Sequence, residues 1–173
     1  MTPAGLYIHI PFCKSKCPYC HFYSETELSL IPSFLDALQG EMTRYAGQFS
    51  AFDTIYIGGG TPSVLASGQV AALLAAVHRN FSIAADAEIT LEVNPHDGDP
   101  DWFRDLRTLG INRLHLGAQS FAPDDLIFLG RRHRVPDIYR TVENIIKAGF
   151  TNFGLDLIYG LPGQEPAAWK KTL

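Results

Sequence analysis

The residues best suited to chemistry stand close together. All three cysteines of the 173-residue chain lie in the run Cys13-Lys-Ser-Lys-Cys17-Pro-Tyr-Cys20. Three thiols cannot pair off in disulfides without leaving one over. Thiolates are soft ligands that select zinc or iron–sulfur clusters. A structural zinc site needs a fourth ligand, for which His9 or His21 is at hand, although such sites usually take their ligands from two separated knuckles. A [4Fe–4S] cluster normally takes four cysteines, so three leave one iron open to a small molecule. Inert thiols clustered by chance are the remaining alternative. An unpaired trio fits a reducing compartment and points to the cytoplasm.

Two further groups carry polar chemistry. Gly58-Gly-Gly-Thr-Pro62 follows the apolar run Thr54-Ile-Tyr-Ile57. Consecutive glycines there let the main chain approach a ligand closely and present its N–H and C=O groups. Glu92, Gln119 and Asp156 fall at or near the ends of three later apolar runs, and Arg131 follows in a loop.

The elements that must position these groups follow from hydrophobic period. Strands are expected at Leu6–Ile10, Thr54–Ile57, Glu88–Val93, Arg113–Leu116 and Asn152–Ile158. Between them, apolar residues recur at helical steps from Ile31 to Phe49, with Ser29 and Pro32 suited to the first turn, and from Val70 to Phe81, with Ser67 as cap. Asp99-Pro100 opens a helix that Gly110 stops, and further helices start near Pro123, Pro136 and Glu165-Pro166. Strand followed by helix, five times over, implies right-handed crossovers and a parallel sheet. Along the strands, apolar residues alternate with Tyr7 and His9, Glu88 and Glu92, Arg113 and His115, and Asp156. A doubly wound sheet, covered on both faces, would show continuous apolar runs instead. The alternation predicts a curved sheet with helices outside and a polar inner face lining a cavity, with the site at the C-terminal ends of the strands.

Composition sets bounds. An apolar share of 46% and a net charge of −4, with no long run of one sign, speak against a nucleic-acid-binding surface. No run of about 18 apolar residues would span a membrane. The first residues lack the charged and apolar regions of a signal peptide. Arg132 and Arg134 read as a solvated face.

The Cys-x3-Cys-x2-Cys spacing with Tyr19 before the last cysteine resembles the radical S-adenosylmethionine (SAM) enzymes. Tyr7-Ile-His-Ile-Pro-Phe-Cys13, Ile57-Gly-Gly-Gly-Thr-Pro-Ser63, Leu91-Glu-Val-Asn-Pro95, Leu116-Gly-Ala-Gln-Ser-Phe121, Leu129-Gly-Arg131 and Asp156-Leu-Ile-Tyr-Gly-Leu-Pro-Gly163 together resemble one of its families. That family comprises the oxygen-independent coproporphyrinogen III oxidases (HemN-type) and the related HemW-type heme chaperones. The resemblance implies that Cys13, Cys17 and Cys20 hold a [4Fe–4S] cluster whose open iron binds SAM. It implies contacts to SAM from Tyr7, Tyr19, Gly59 and Glu92. Gly60, Thr61, Gln119, Arg131 and Asp156 match positions that the oxidase uses around SAM, including a second SAM. A reduced cluster would cleave SAM to methionine and a 5′-deoxyadenosyl radical. Expected partners are heme or a porphyrin, an electron donor for the cluster and a heme-acceptor protein. No catalytic side chain is singled out.

Within the family, Cys20-His21-Phe22 resembles the Cys-Asp-Phe of the heme-chaperone branch, whereas the oxidase branch has a further cysteine where Phe22 stands. His21 in place of Asp is a departure. The oxidase also carries an extension ahead of its first strand. The family barrel has six strands followed by a C-terminal region; the pattern here yields five, so residues 1–173 are expected to form a parallel partial (β/α) barrel, a radical SAM core domain without the sixth strand.

Overall fold

The computed structural model describes residues 4–49 and 51–173. Five strands form one sheet: β1 (Ala4–Ile10), β2 (Phe52–Gly59), β3 (Ile83–Val93), β4 (Arg113–Gln119) and β5 (Phe153–Leu157). Their spatial order is the order of the chain, β1-β2-β3-β4-β5, and every neighbouring pair is parallel. A doubly wound sheet reverses its strand order at a switch point. This sheet never does, so it advances one strand at a time in the manner of a barrel wall.

Helices α1 (Ile31–Tyr45), α2 (Ser67–Asn80), α3 (Pro100–Thr108), α4 (Pro123–Phe128), α5 (Val135–Lys147) and α6 (Pro166–Thr172) fill the connections and the end of the chain. The apolar phase of the strands faces five of them, α4 contributing Leu126. Ile8, Ile10, Ile55, Ile57, Leu91, Val93, Leu114 and Leu116 join Leu35 of α1, Leu73 and Val77 of α2, Phe103 of α3 and Ile138 of α5 in one buried cluster. The other phase carries Tyr7, Tyr56, Glu92, His115 and Asp156, which share the opposite face, as the period of two requires.

Local signals held in part. Asp99 caps α3 by accepting the Trp102 N–H at 2.8 Å. Ser67 does not cap α2; it is the first helical residue, and Ala66 stands at the cap, its N–H donating to Gln69 Oε1 at 2.9 Å. The Ile31–Phe49 pattern overran the helix: α1 ends at Tyr45, and Phe49 turns back to pack on Phe52, ring centroids 5.4 Å apart. Ser29 lies in a short 3-10 turn, Leu28–Leu30, that leads into α1. β3 starts at Ile83 rather than Glu88, and β2 keeps Gly58 and Gly59 within the strand. Thr90 is the exception on the inner face, only 1% exposed. Its register neighbours Tyr56 and Arg113 flank it with large side chains.

Candidate cofactor site

The cysteine loop leaves β1 at Pro11-Phe12 and is fastened at its base. Glu25 N–H donates to Pro11 O at 2.6 Å and Cys13 N–H to Glu25 O at 2.9 Å, so the loop closes as a strap across the C-terminal end of β1. Gly60 and Thr61 continue the ladder on its other side, donating to Ile10 O at 2.9 Å and Phe12 O at 2.8 Å. The approach explains the glycine: a Cβ on Gly60 would sit 2.8 Å from Phe12 O. It also delivers the Thr61 hydroxyl to Cys13 Sγ, a donor at 3.3 Å.

A second donor comes from across the sheet. Arg131, in the loop between α4 and α5, reaches Cys17 Sγ at 3.6 Å and the Tyr19 hydroxyl at 3.2 Å with Nη1. Its Nη2 donates to Gly117 O at 3.0 Å and to Asn94 Oδ1. Gly130, at φ +63, is held against Pro18 of the cysteine loop; a Cβ there would lie 2.8 Å from the Pro18 ring. Just beyond, buried His133 donates from Nε2 to Ala118 O at 3.1 Å, and burial with the nearby Arg131 charge lowers its pKa to about 4. The Leu129-Gly-Arg131 segment thus ties the end of β4 to the thiols.

All three thiols are free and half-buried. Burial pushes the Cys13 thiol up, the other two sulfurs push the same way, and the Thr61 hydroxyl and Arg131 charge pull it down. Hydrogen-bond donors aimed at sulfur stabilise thiolates, which metal ligation needs. Among the described residues, no three His, Cys, Asp or Glu side chains converge on a point for a single ion. His9 is occupied elsewhere, its Nε2 against Tyr23 O at 3.2 Å and its Nδ1 against the Tyr7 hydroxyl at 3.2 Å. The donor set therefore fits a [4Fe–4S] cluster.

Beside the thiols a cavity of about 520 Å³ opens over the inner face. It gathers Tyr19, Gly59, Gly60, Thr61, Glu92, Gln119, Arg131 and Asp156, eight of the nine residues expected to contact SAM, together with Cys20. Glu92 is fixed from two sides, by Tyr56 OH at 2.8 Å and Gly59 N–H at 3.1 Å. Gln119 has φ +68 and its amide lies back over Gly117, where a Cβ would come within 2.9 Å. Asp156 accepts from His115 Nδ1 at 3.1 Å. Tyr7 is the one that stands apart. It does not line this cavity but borders a groove of about 670 Å³ between β1 and α1. Its ring stacks on Tyr56 at 6.0 Å, so it reaches the site through that neighbour. Burial raises its phenol, and the Glu92 charge adds to the effect.

Three side chains at the site were not singled out from the sequence: Tyr56, Asn94 and His115. Tyr56 and His115 sit on the polar phase of β2 and β4, a signal present in the alternation. Asn94 lay inside a recognised motif without a role. Arg132, expected on a solvated face, is exposed, and it also approaches Asp97 Oδ1 at 3.7 Å and lines the recess around the cysteines.

Comparison with known proteins agrees with this geometry. Residues 7–173 match the family model of the radical SAM superfamily. The heme chaperone HemW of Mycobacterium tuberculosis is 40% identical over 169 residues, 94% of this chain and 43% of that protein. HemW of Escherichia coli is 39% identical over 171 residues, 95% of this chain and 45% of that protein. The chain thus spans less than half the length of these curated relatives. Among solved structures, the radical SAM enzyme coproporphyrinogen III oxidase (HemN) of Escherichia coli superposes with a TM-score of 0.90 at 34% identity, covering 98% of this chain and 40% of that one. No helix among the described residues is long and apolar enough to cross a membrane. With thiol spacing, sheet order and family model in agreement, the chain belongs to the radical SAM superfamily, whose members carry a [4Fe–4S] cluster and SAM.

Proposed function

We propose that residues 1–173 form a radical SAM core domain that works in heme handling, as part of a cytoplasmic heme-chaperone-like protein. The observation that carries this reading is the meeting of three free thiols with two sulfur-directed donors, Thr61 and Arg131, at the mouth of a polar cavity. Cys13, Cys17 and Cys20 hold the cluster. Tyr19, Gly59 and Glu92 surround the SAM bound to it, with Tyr7 behind, while Gly60, Thr61, Gln119, Arg131 and Asp156 complete the lining of the cavity, which would also take a second SAM. When bound, the cluster and SAM supply one-electron cleavage chemistry.

The chain's own part is placement. Glu92, held by Tyr56 and Gly59, is a fixed anionic acceptor for an ammonium group. Arg131 offsets thiolate charge while bonding Gly117 O and Asn94, so its position is set before any ligand arrives. Asp156, oriented by His115, offers a second acceptor to hydroxyl groups. The whole protein would bind heme or a porphyrin, receive electrons for the cluster from a donor and pass heme to an acceptor protein.

The test is anaerobic reconstitution with iron and sulfide. Expected are about four irons per chain, a SAM-dependent change in the EPR spectrum of the reduced protein, and loss of both in Cys17→Ala. Stoichiometric zinc without iron uptake would overturn the reading. The second reading, radical decarboxylation of coproporphyrinogen III, is favoured by the 0.90 superposition on the oxidase. The chaperone reading is favoured by the higher identity to HemW and by Phe22. Turnover of coproporphyrinogen III to protoporphyrinogen IX by the full-length protein, with no stable heme binding, would decide for the oxidase.

A further inference from the structure

Between Cys13 and Cys17 the loop makes a contact that the cofactor chemistry does not call for. Lys14 Nζ donates to Asp97 Oδ1 at 2.7 Å, across 83 residues of chain. The Asp97 side chain is 1% exposed. Arg132 Nη1 approaches the same oxygen at 3.7 Å, and the Ser63 hydroxyl donates to the other at 3.4 Å. A buried carboxylate is costly unless paired and hydrogen-bonded; here two cations from separate loops and one hydroxyl meet it.

The turn that presents Asp97 is set with some strain. His96 has φ +78, a conformation that a non-glycine residue adopts at a cost of about 1–3 kcal/mol. The Asp97 N–H closes the turn on Asn94 O at 3.2 Å, and the Asn94 N–H donates to Ser63 Oγ at 3.0 Å. Asn94 also accepts from Arg131, the residue that reaches Cys17 Sγ. One rigid turn after β3 therefore braces the cysteine loop twice, through Arg131 at Cys17 and through Lys14 next to Cys13. Lys14 and Arg132 both border the recess around the three sulfurs.

We propose that Asp97 is a positioning residue for the iron–sulfur cluster: its buried carboxylate clasps the Cys13–Cys17 segment through Lys14 and keeps Arg132 beside it. The clasp fixes the spacing of the thiolates and sets the net charge around the cluster. It rests on Cys13, Cys17 and Cys20 holding that cluster.

Two readouts test it on the anaerobically reconstituted chain: the rate of iron loss to a chelator and the midpoint potential of the cluster. Outer contacts of this kind change metal retention by roughly ten- to a hundredfold. Lys14→Met and Asp97→Asn are both expected to speed iron loss by roughly tenfold, and Lys14→Arg to stay close to the wild-type rate. Their potentials should move in opposite directions. Removing the Asp97 charge favours the more negative reduced cluster and raises the potential; removing the Lys14 charge lowers it. General destabilisation would track melting temperature and would not split the potentials. Lys14 is a partly exposed loop residue, so Lys14→Met remains informative even if Asp97→Asn folds poorly. A wild-type iron-loss rate in Lys14→Met, or potentials moving the same way, would overturn the clasp while leaving the cluster assignment intact. A wild-type chain that takes up no iron would overturn the cluster assignment and the clasp with it.

Discussion

The two faces of this sheet are built on opposite terms. Outside, Ile57, Leu91, Leu114 and Leu116 are fully buried and share one core with side chains of five helices. Inside, Glu92, His115 and Gly154 lie in register across three strands. Glycine takes the places where a side chain would close the surface. A Cβ at Gly58 would meet the Glu92 carboxyl at 3.0 Å, and one at Gly154 the His115 ring at 3.3 Å. The outer face is finished by protein, with the apolar burial that drives folding. The inner face satisfies its charges pairwise, Tyr56 with Glu92, His115 with Asp156, Arg113 with Glu88, and keeps a cavity open between them. Stability resides on one side of the strands and binding on the other, with the glycines marking which is which.

The largest effects should therefore come from the outer face. Leu91→Ala removes a fully buried side chain from the middle of β3 and should lower unfolding free energy by roughly 2–5 kcal/mol in denaturant titration. A cost below about 1 kcal/mol would mean that the outer face is not the main store of stability.

His133 joins the two regimes through pH. Its pKa is lowered from the ordinary 6.5 to about 4, first by burial and then by the Arg131 charge. The unfolded chain then binds the extra proton between those values, so the stabilisation is complete above pH 6.5 and is lost as pH falls toward 4. The full span corresponds to about 3 kcal/mol. His133→Gln should flatten this part of the stability–pH curve; an unchanged slope would show that His133 is not neutral in the fold.

At the rim, Gly60→Ala should cost about 1–3 kcal/mol, because the new methyl must push against main chain rather than a mobile side chain. It should also loosen the cysteine strap and reduce iron uptake on reconstitution. Gly110→Ala offers the control. Gly110 has φ +97 but open space around its Cβ position, so it carries only the conformational penalty and should leave iron uptake unchanged.

How far the sequence reached follows the same division. The outer face and the five strands were readable because period two and period 3.6 are local. The cysteine loop was readable because its three thiols are near neighbours in the chain. The Lys14–Asp97 clasp, Tyr56 under Glu92 and His115 beside Asp156 were not, since each depends on register between strands tens of residues apart. Gly58 and Gly59 were placed after the second strand, yet they lie within β2: without side chains they show no period of two, so the end of the strand was not legible. The Ser67 cap failed for a similar reason. Gln69 bonds back to the Ala66 N–H, and helix and cap shift by one residue. Tyr7 was grouped with the SAM contacts by motif; on the edge strand β1 it stacks on Tyr56 and also borders the groove beside α1.

The smallest change in stability should come from Tyr56→Phe, and it tests the division most sharply. The phenol donates to Glu92 Oε1 at 2.8 Å and its ring stacks on Tyr7. Burial and the Glu92 carboxylate both raise its pKa, so it remains a donor at any working pH. Phenylalanine keeps the ring and the stack and removes only that bond. Glu92 still accepts from Gly59, so the cost to folding should be about 0.5–1.5 kcal/mol. The effect on binding should be larger in proportion. With one of its two anchors gone, the carboxylate must be ordered by the ligand itself, a cost subtracted from affinity. SAM affinity of the reconstituted protein, measured by titration with EPR detection, should fall several-fold while the denaturation midpoint scarcely moves. Equal proportional losses in both would mean that the inner face, too, is part of what holds the fold together.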